Sequence, residues 1–149
     1  MKRSERIRRI LQIALLVFTL AWIWGHSCVP TAESTAESER VVTTLQQNFH
    51  DTAVEKHITE HLVRKMAHFL EFAFLGAQVM FFFRHQKKTF SLVAVAMGAF
   101  VASVDETIQF FTSRGPRISD VGIDTAGVVT GVLFVLLCTE IWRSRTKKA

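Results

Sequence analysis

Charged side chains are concentrated within apolar segments of this chain, where they could bind a polar ligand or hold a proton. An ionisable group in lipid is costly unless it is paired or hydrated, so a retained group of them predicts a functional site. We call this set the polar cluster. Its members are Arg64, Lys65, His68, Glu71, Asp105, Glu106, Gln109, Arg114, Arg117, Asp120 and Asp124.

Helical spacing places the members of the polar cluster on shared faces. At about 100° per residue, Arg64, His68 and Glu71 fall within one quarter of a helix circumference, together with Leu75 and Gln78. This face is predicted to point into a helix bundle.

The next two predicted helices carry similar polar stripes. Asp105 and Gln109 are four residues apart, with Glu106 beside them, and Asp120 and Asp124 are also four apart. The same stripe continues into a small-residue pair that permits close helix packing, Gly127 and Gly131. Residues 113–119 connect the two helices, so both loop arginines are predicted to lie over the same pocket.

Three functions fit these residues. In a binding protein, four cations would hold a phosphate or carboxylate of the ligand, and four carboxylates would orient these cations. The cations are Arg64, Lys65, Arg114 and Arg117. The carboxylates are Asp105, Glu106, Asp120 and Asp124. In an intramembrane enzyme, His68 and Glu106 would be the acid–base pair acting on a lipid-linked substrate. Proton-coupled transport is disfavoured because the other halves of these helices carry almost no ionisable residues.

A purely structural interpretation is also open. Arg64 would pair with Glu71 or Asp105, and Arg114 or Arg117 would pair with Asp120. Five carboxylates face four bases and a histidine, which is more than helix packing needs. This number argues against a purely structural cluster. Of the remaining functions we favour binding, and we assign no catalytic residue.

Residues 57–61 read His-Ile-Thr-Glu-His, which matches the H-x-x-E-H pattern of inverted zinc peptidases. Arg64 and Lys65 follow within about one turn and would oppose a dication. A row of titrating histidines at the membrane surface is the simpler interpretation. We predict neither a metal nor another cofactor.

The composition indicates a single membrane domain covering residues 1–149. Apolar residues make up 49% of the chain, with thirteen Phe and no Tyr. Four segments are long enough to cross a bilayer, at about 1.5 Å per helical residue. They are residues 7–24, 62–83, 90–111 and 121–142.

Basic clusters predict the orientation of these spans. Lys and Arg are frequent before the first span, between the second and third, and after the fourth. Because cytoplasmic loops are enriched in Lys and Arg, both termini are predicted to be cytoplasmic. The net charge of +5 then implies contact with anionic lipids and no nucleic-acid binding.

The first helix and the segment after it allow further predictions. A cleaved signal peptide is an alternative for the first span, but Trp22 and Trp24 favour a retained helix with an interfacial belt. Of residues 25–61, the stretch 31–39 is predicted to be a flexible linker. An amphipathic interfacial helix is predicted from Val41 onward. Cys28 and Cys138 are too far apart to form a disulfide.

The polar motifs resemble those of a known family. They read Lys65-x-x-His68-Phe69-x-Glu71-Phe72-x-x-Leu75-Gly76, Ser103-x-Asp105-Glu106-x-x-Gln109-x-Phe111 followed by Arg114, and Asp120-x-x-x-Asp124-x-x-Gly127-x-x-x-Gly131. Residues 63–137 thereby resemble the VanZ-like family of small bacterial membrane proteins. Many members carry Asn at the position of Asp124 and an aromatic residue at that of Glu71.

The resemblance implies a multi-pass protein of the bacterial cytoplasmic membrane with a role in the cell envelope. It also implies a link to lower susceptibility to teicoplanin, a lipid-bearing glycopeptide. Membrane lipids, a lipid-linked envelope precursor or a lipoglycopeptide are the expected partners. The resemblance supplies no reaction.

Overall fold

A computed structural model describes residues 3–29, 31–48, 58–83, 90–112 and 118–146. These residues form five helices and no strand. In chain order they are α1 Arg3–Ser27, α2 Thr31–Asn48, α3 Glu60–Phe82, α4 Phe90–Phe111 and α5 Ile118–Thr146. The all-helical fold is confirmed, and each of the four predicted spans lies on one of the long helices.

Three helices are long and apolar enough to cross a membrane: α1, α4 and the Ser119–Thr146 part of α5. Their outer faces expose large apolar side chains, among them Phe100 at 69% and Phe134 at 64%, as expected for contact with lipid. The first half of α3 carries four ionisable members of the polar cluster and is less apolar. A fourth span through α3, and cytoplasmic termini, therefore remain predictions.

The core of the bundle is the contact between α3 and α5. Gly127 and Gly131 of α5 lie against the backbone of α3, where a Cβ at Gly131 would clash with the carbonyl oxygen of Ala73. In return, Gly76 of α3 lies against the backbone of Val128. Without side chains between them, the two backbones approach closely and gain van der Waals contact.

The segment after α1 is helical. The prediction of a flexible linker at residues 31–39 was wrong, because α2 begins at Thr31. Ala and Glu in this stretch are strong helix formers. Hydroxyl groups bond back to the preceding turn, as Ser38 Oγ does to the carbonyl of Ser34 at 3.0 Å. The polar composition therefore reflects a solvated helix rather than a linker.

The predicted interfacial helix is interrupted before α3. Ile58 and Thr59 are not helical, and Thr59 caps α3 by accepting a hydrogen bond from the Leu62 amide at 3.2 Å. A threonine hydroxyl satisfies an amide that the first turn leaves open, so α3 begins here as a separate helix. Residues 49–57, including Phe49 and Val54 of the predicted apolar face, lie outside the described residues.

Several residues used to predict topology also lie outside the described part of the chain. They are Lys2, Arg84, Lys87, Lys88, Lys147 and Lys148. Cys28 and Cys138 are both free and exposed, so the prediction that they do not pair is confirmed.

Candidate functional site

Asp105 of α4 lies at the centre of the polar end of the bundle, where α1 and α4 finish and α3 and α5 begin. Its side chain is fully buried. Ser27 Oγ donates a hydrogen bond to Oδ1 at 2.6 Å, and Gln109 Nε2 donates to Oδ2 at 2.8 Å. Nδ1 of His68, on α3, lies 3.9 Å from Oδ2. The two hydrogen bonds stabilise a carboxylate that has no access to water.

Ser27 ties α1 to this site, and the sequence did not predict its role. Its carbonyl oxygen accepts a hydrogen bond from Thr112 Oγ1, directly after α4, at 3.1 Å, while its hydroxyl donates to Asp105. The only signal in the sequence was a small polar residue at the end of an apolar helix.

Asp124 and Glu106 lie beside Asp105. Asp124 of α5 is 2% exposed and Glu106 of α4 is 8% exposed. One ring nitrogen of His68 and one carboxylate oxygen each of Asp105 and Asp124 lie within 4.8 Å of one another. Three helices thus converge here, and neighbouring carboxylates repel the charge of Asp124.

Glu71 of α3 contacts α1 rather than the buried aspartates. Trp22 Nε1 donates a hydrogen bond to Glu71 Oε1 at 3.0 Å, and His26 Nδ1 lies 3.5 Å from the same oxygen. The rings of Trp22 and His26 are 4.5 Å apart. Trp22, assigned from the sequence to an interfacial belt, therefore also binds a member of the polar cluster.

Gln78 makes a second polar contact between α3 and α1. Its Nε2 donates to Thr19 Oγ1 at 2.7 Å, and Thr19 in turn donates to the carbonyl of Leu15. Gln78 shares the polar face predicted for α3, and its side chain contacts α1.

Two cations of the polar cluster, Lys65 and Arg64, lie in the described part of the chain, and each pairs with a carboxylate. Lys65 forms an ion pair with Asp120, which joins α3 to α5. Arg64 pairs with Glu60 on its own helix and donates to Thr35 Oγ1 at 3.3 Å, whereas the purely structural interpretation paired it with Glu71 or Asp105. An arginine one turn after a glutamate reaches it without any tertiary arrangement.

Two predicted members of the cluster, Arg114 and Arg117, lie outside the described residues. Their predicted pairing with Asp120 is untested. The same holds for His57 of the H-x-x-E-H pattern. Of the rest of that pattern, His61 is exposed and Glu60 is engaged by Arg64.

A cavity of about 230 Å³ lies between α2, α3 and the end of α1; most of the residues that line it are polar, and we call it the polar cavity. Its wall includes His26, Glu37, Arg64, His68 and Glu71. The Nε atom of Arg64 and the Nδ1 atom of His68 are buried and have no hydrogen-bond partner in the described parts of the chain. The cavity is therefore lined by polar atoms that are still available to a ligand.

An apolar groove of about 390 Å³ runs between α1 and α3 next to this cavity. Phe18, Trp22, Leu70 and Phe74 line it, and Glu71 belongs to both the groove and the cavity. A polar space thus continues into an apolar one at the surface of the bundle.

Buried carboxylates inside a bundle of helices long enough to span lipid define a helical membrane protein with an internal polar site. The chain belongs to the VanZ/LLP1 family, whose sequence profile matches residues 10–139. No curated protein matches the chain. No solved structure matches it either.

Proposed function

We propose that this VanZ-type protein binds the anionic headgroup of a membrane lipid or lipid-linked envelope precursor in the polar cavity. The observation that carries the proposal is the buried Nε–H of Arg64, which lines the cavity without an acceptor among the described residues. A buried donor without a partner loses its hydration and gains nothing in return. A phosphate or carboxylate oxygen in the cavity would remove that cost.

The position of Arg64 suits this role. Its Nη2 atom is engaged by Glu60 and Thr35, so the guanidinium is held in place while Nε remains available. Because a guanidinium is planar and stays charged, a fixed one offers an anion a directed donor with little further ordering. His26 and His68 lie on the same wall and add donors for a headgroup.

The neighbouring groove supports a lipid over a free anion. Its lining is apolar, and it meets the polar cavity at Glu71. A molecule with a charged head and an apolar tail matches that change of surface along its length. The cavity volume suits a headgroup, and the groove would accommodate part of an acyl chain.

In the predicted topology, the polar end of the bundle faces the outside of the bacterial cytoplasmic membrane. A protein that holds anionic lipids or lipid-linked precursors there would change which of these molecules a lipid-bearing glycopeptide can contact at the outer surface. Lower susceptibility to teicoplanin is the envelope function that we propose on this basis.

Lipid retention tests the binding proposal directly. The full chain is purified in mild detergent and mixed with equal amounts of phosphatidylglycerol and phosphatidylcholine, and bound lipid is measured by native mass spectrometry. We expect phosphatidylglycerol to be preferred. Arg64→Lys keeps the charge but loses the Nε–H, so retention should fall by about tenfold, as expected for one charged hydrogen bond.

Arg143→Lys, at the opposite end of α5, is the matched control and should retain lipid as the wild type does. Equal retention of both lipids, or an Arg64→Lys variant as good as the wild type, would refute the proposal.

The second candidate is an acid–base enzyme that acts on the same lipid, with His68 and Glu106 as the pair. It is favoured by the imidazole at the cavity wall beside a buried carboxylate. In this case the lipid recovered after incubation with the wild type would have a changed mass. The His68→Gln variant would still bind the lipid but leave its mass unchanged. An unchanged mass with the wild type favours binding alone.

A further inference from the structure

We infer that His68, Asp105 and Asp124 bind a divalent first-row metal ion such as Zn²⁺ or Mn²⁺. One ligand comes from each of α3, α4 and α5, and the three donor atoms lie within 4.8 Å of one another. With metal–ligand bonds of about 2.0–2.2 Å, small side-chain movements bring such a set onto one ion. One imidazole and two carboxylates suit these metals better than Ca²⁺, which prefers oxygen ligands alone.

Asp124 provides independent evidence for a ligand. Its side chain is 2% exposed, yet no described side chain donates a hydrogen bond to it or pairs with it. It points toward His68 and Asp105, as the short separation of the donor atoms shows. A buried carboxylate in this position requires either a cation or a proton.

The cations of the described chain do not meet this need. Lys65 pairs with Asp120, and Arg64 pairs with Glu60. The charges of Asp105 and Glu106 also repel that of Asp124. A divalent ion between Asp105 and Asp124 would offset this repulsion.

Asp105 is already oriented in the manner of a metal ligand. Ser27 donates to one of its oxygens and Gln109 to the other, which fixes the carboxylate and leaves further lone pairs on both. Hydrogen bonds of this kind commonly hold ligating carboxylates in place. Ser27 is the last residue of α1, so this hydrogen bond places the site where α1 ends.

The metal would have positions left for an exogenous ligand, because three protein side chains do not complete its coordination. His68 lines the polar cavity, so those positions are reached from it. A phosphate oxygen of a lipid headgroup is the ligand of matching chemistry; this last step rests on the proposed function.

Metal binding is tested without lipid, so that its failure is distinguishable from failure of headgroup binding. The full chain is freed of metal by a chelator in detergent, and Zn²⁺ or Mn²⁺ alone is titrated by calorimetry, with bound metal counted by elemental mass spectrometry. We expect one ion per chain. Asp124→Asn and His68→Gln should each weaken binding by at least about tenfold.

Glu140→Gln is the matched control, since it removes an exposed carboxylate of the same helix that lies outside the ligand set. It should retain the metal with nearly wild-type affinity. Thermal unfolding of the wild type with and without metal gives a second readout that does not depend on the variants folding, and metal should raise its melting temperature.

A wild-type chain that binds neither ion and gains no thermal stability would overturn the inference and leave a shared proton as the solution for the two aspartates. Equal weakening by Glu140→Gln and Asp124→Asn would also overturn it, because it would show only a general attraction to acidic groups. Retention of phosphatidylglycerol by the metal-free protein would leave headgroup binding intact while separating it from the metal.

Discussion

Ser27 at the end of α1 and Asp105 in α4 are 78 positions apart in the chain and are joined by a hydrogen bond of 2.6 Å. Both side chains are fully buried. A buried carboxylate needs donors, and a hydroxyl from the first helix supplies one. This contact makes α1 part of the site rather than only a membrane anchor.

Replacement of Ser27 by Ala should therefore destabilise the bundle. The loss of a buried hydrogen bond to a charged group costs about 1.5–3 kcal/mol of the free energy of unfolding. Denaturant unfolding of the full chain in detergent measures it. Ser103→Ala is the control, because the exposed Ser103 hydroxyl donates only to the carbonyl of Ala99 within α4, and its loss should have little effect.

The close approach of α3 and α5 is tested by two glycines of the same helix. Gly131→Ala places a Cβ against the carbonyl of Ala73 and should cost about 1–3 kcal/mol through overpacking. Gly122 has open space around it, so Gly122→Ala should instead stabilise α5 by about 0.5–1 kcal/mol. Two substitutions with the same sign would contradict this account of the contact.

The hydrogen bond between Trp22 and Glu71 is tested by a double-mutant cycle. Trp22→Phe keeps the ring in the apolar groove and removes the indole N–H, and Glu71→Gln removes the charge. We expect the two substitutions to be coupled by about 1 kcal/mol in unfolding free energy. Trp142→Phe replaces a mostly exposed tryptophan of α5 and should show no coupling to Glu71→Gln.

The predicted fourth span is tested by cysteine labelling in intact cells. Cys28 follows α1, and Ser144 lies near the end of α5. Two variants are compared. One keeps Cys28 as its single cysteine, and the other lacks both native cysteines and carries Ser144→Cys. If α3 crosses the membrane, a membrane-impermeant maleimide should label Cys28 and leave residue 144 unlabelled. Labelling of both from outside would mean that only α1, α4 and α5 cross.

The proposed envelope function predicts drug phenotypes. Cells that express the wild type should be less susceptible to teicoplanin than cells without it. At matched membrane abundance, Arg64→Lys and Glu106→Gln should lose this protection, whereas Arg143→Lys should keep it. Protection that survives both substitutions would separate the drug effect from the polar cluster, and absence of protection by the wild type would remove the link to teicoplanin.

Much of the architecture could be predicted because it depends on local properties. Apolar length and helical periodicity located the long helices, with α4 found at residues 90–111 as predicted. The same periodicity placed Asp105 and Gln109 on one face, and these residues are hydrogen-bonded to each other. Composition misled only where Ser and Thr were interpreted as a linker, since their hydroxyls can also bond back within a helix.

The partners of the charged groups could not be predicted in this way. Arg64 had several carboxylates within plausible reach, and tertiary packing gives two of them, Glu71 and Asp105, partners on α1. Ser27, Trp22 and His26 contribute to the polar end although nothing in α1 itself indicates which helix they face.

The sequence by itself determined that the chain forms long apolar helices with polar faces, because helix formation and amphipathic spacing are encoded residue by residue. Only the tertiary structure decided that His68, Asp105 and Asp124 come together and that Lys65 pairs with Asp120. Those contacts depend on the rotation and depth of each helix in the bundle. Close packing of small residues between α3 and α5 sets the rotation and depth of these helices. The sequence of one helix alone does not specify how it packs against another.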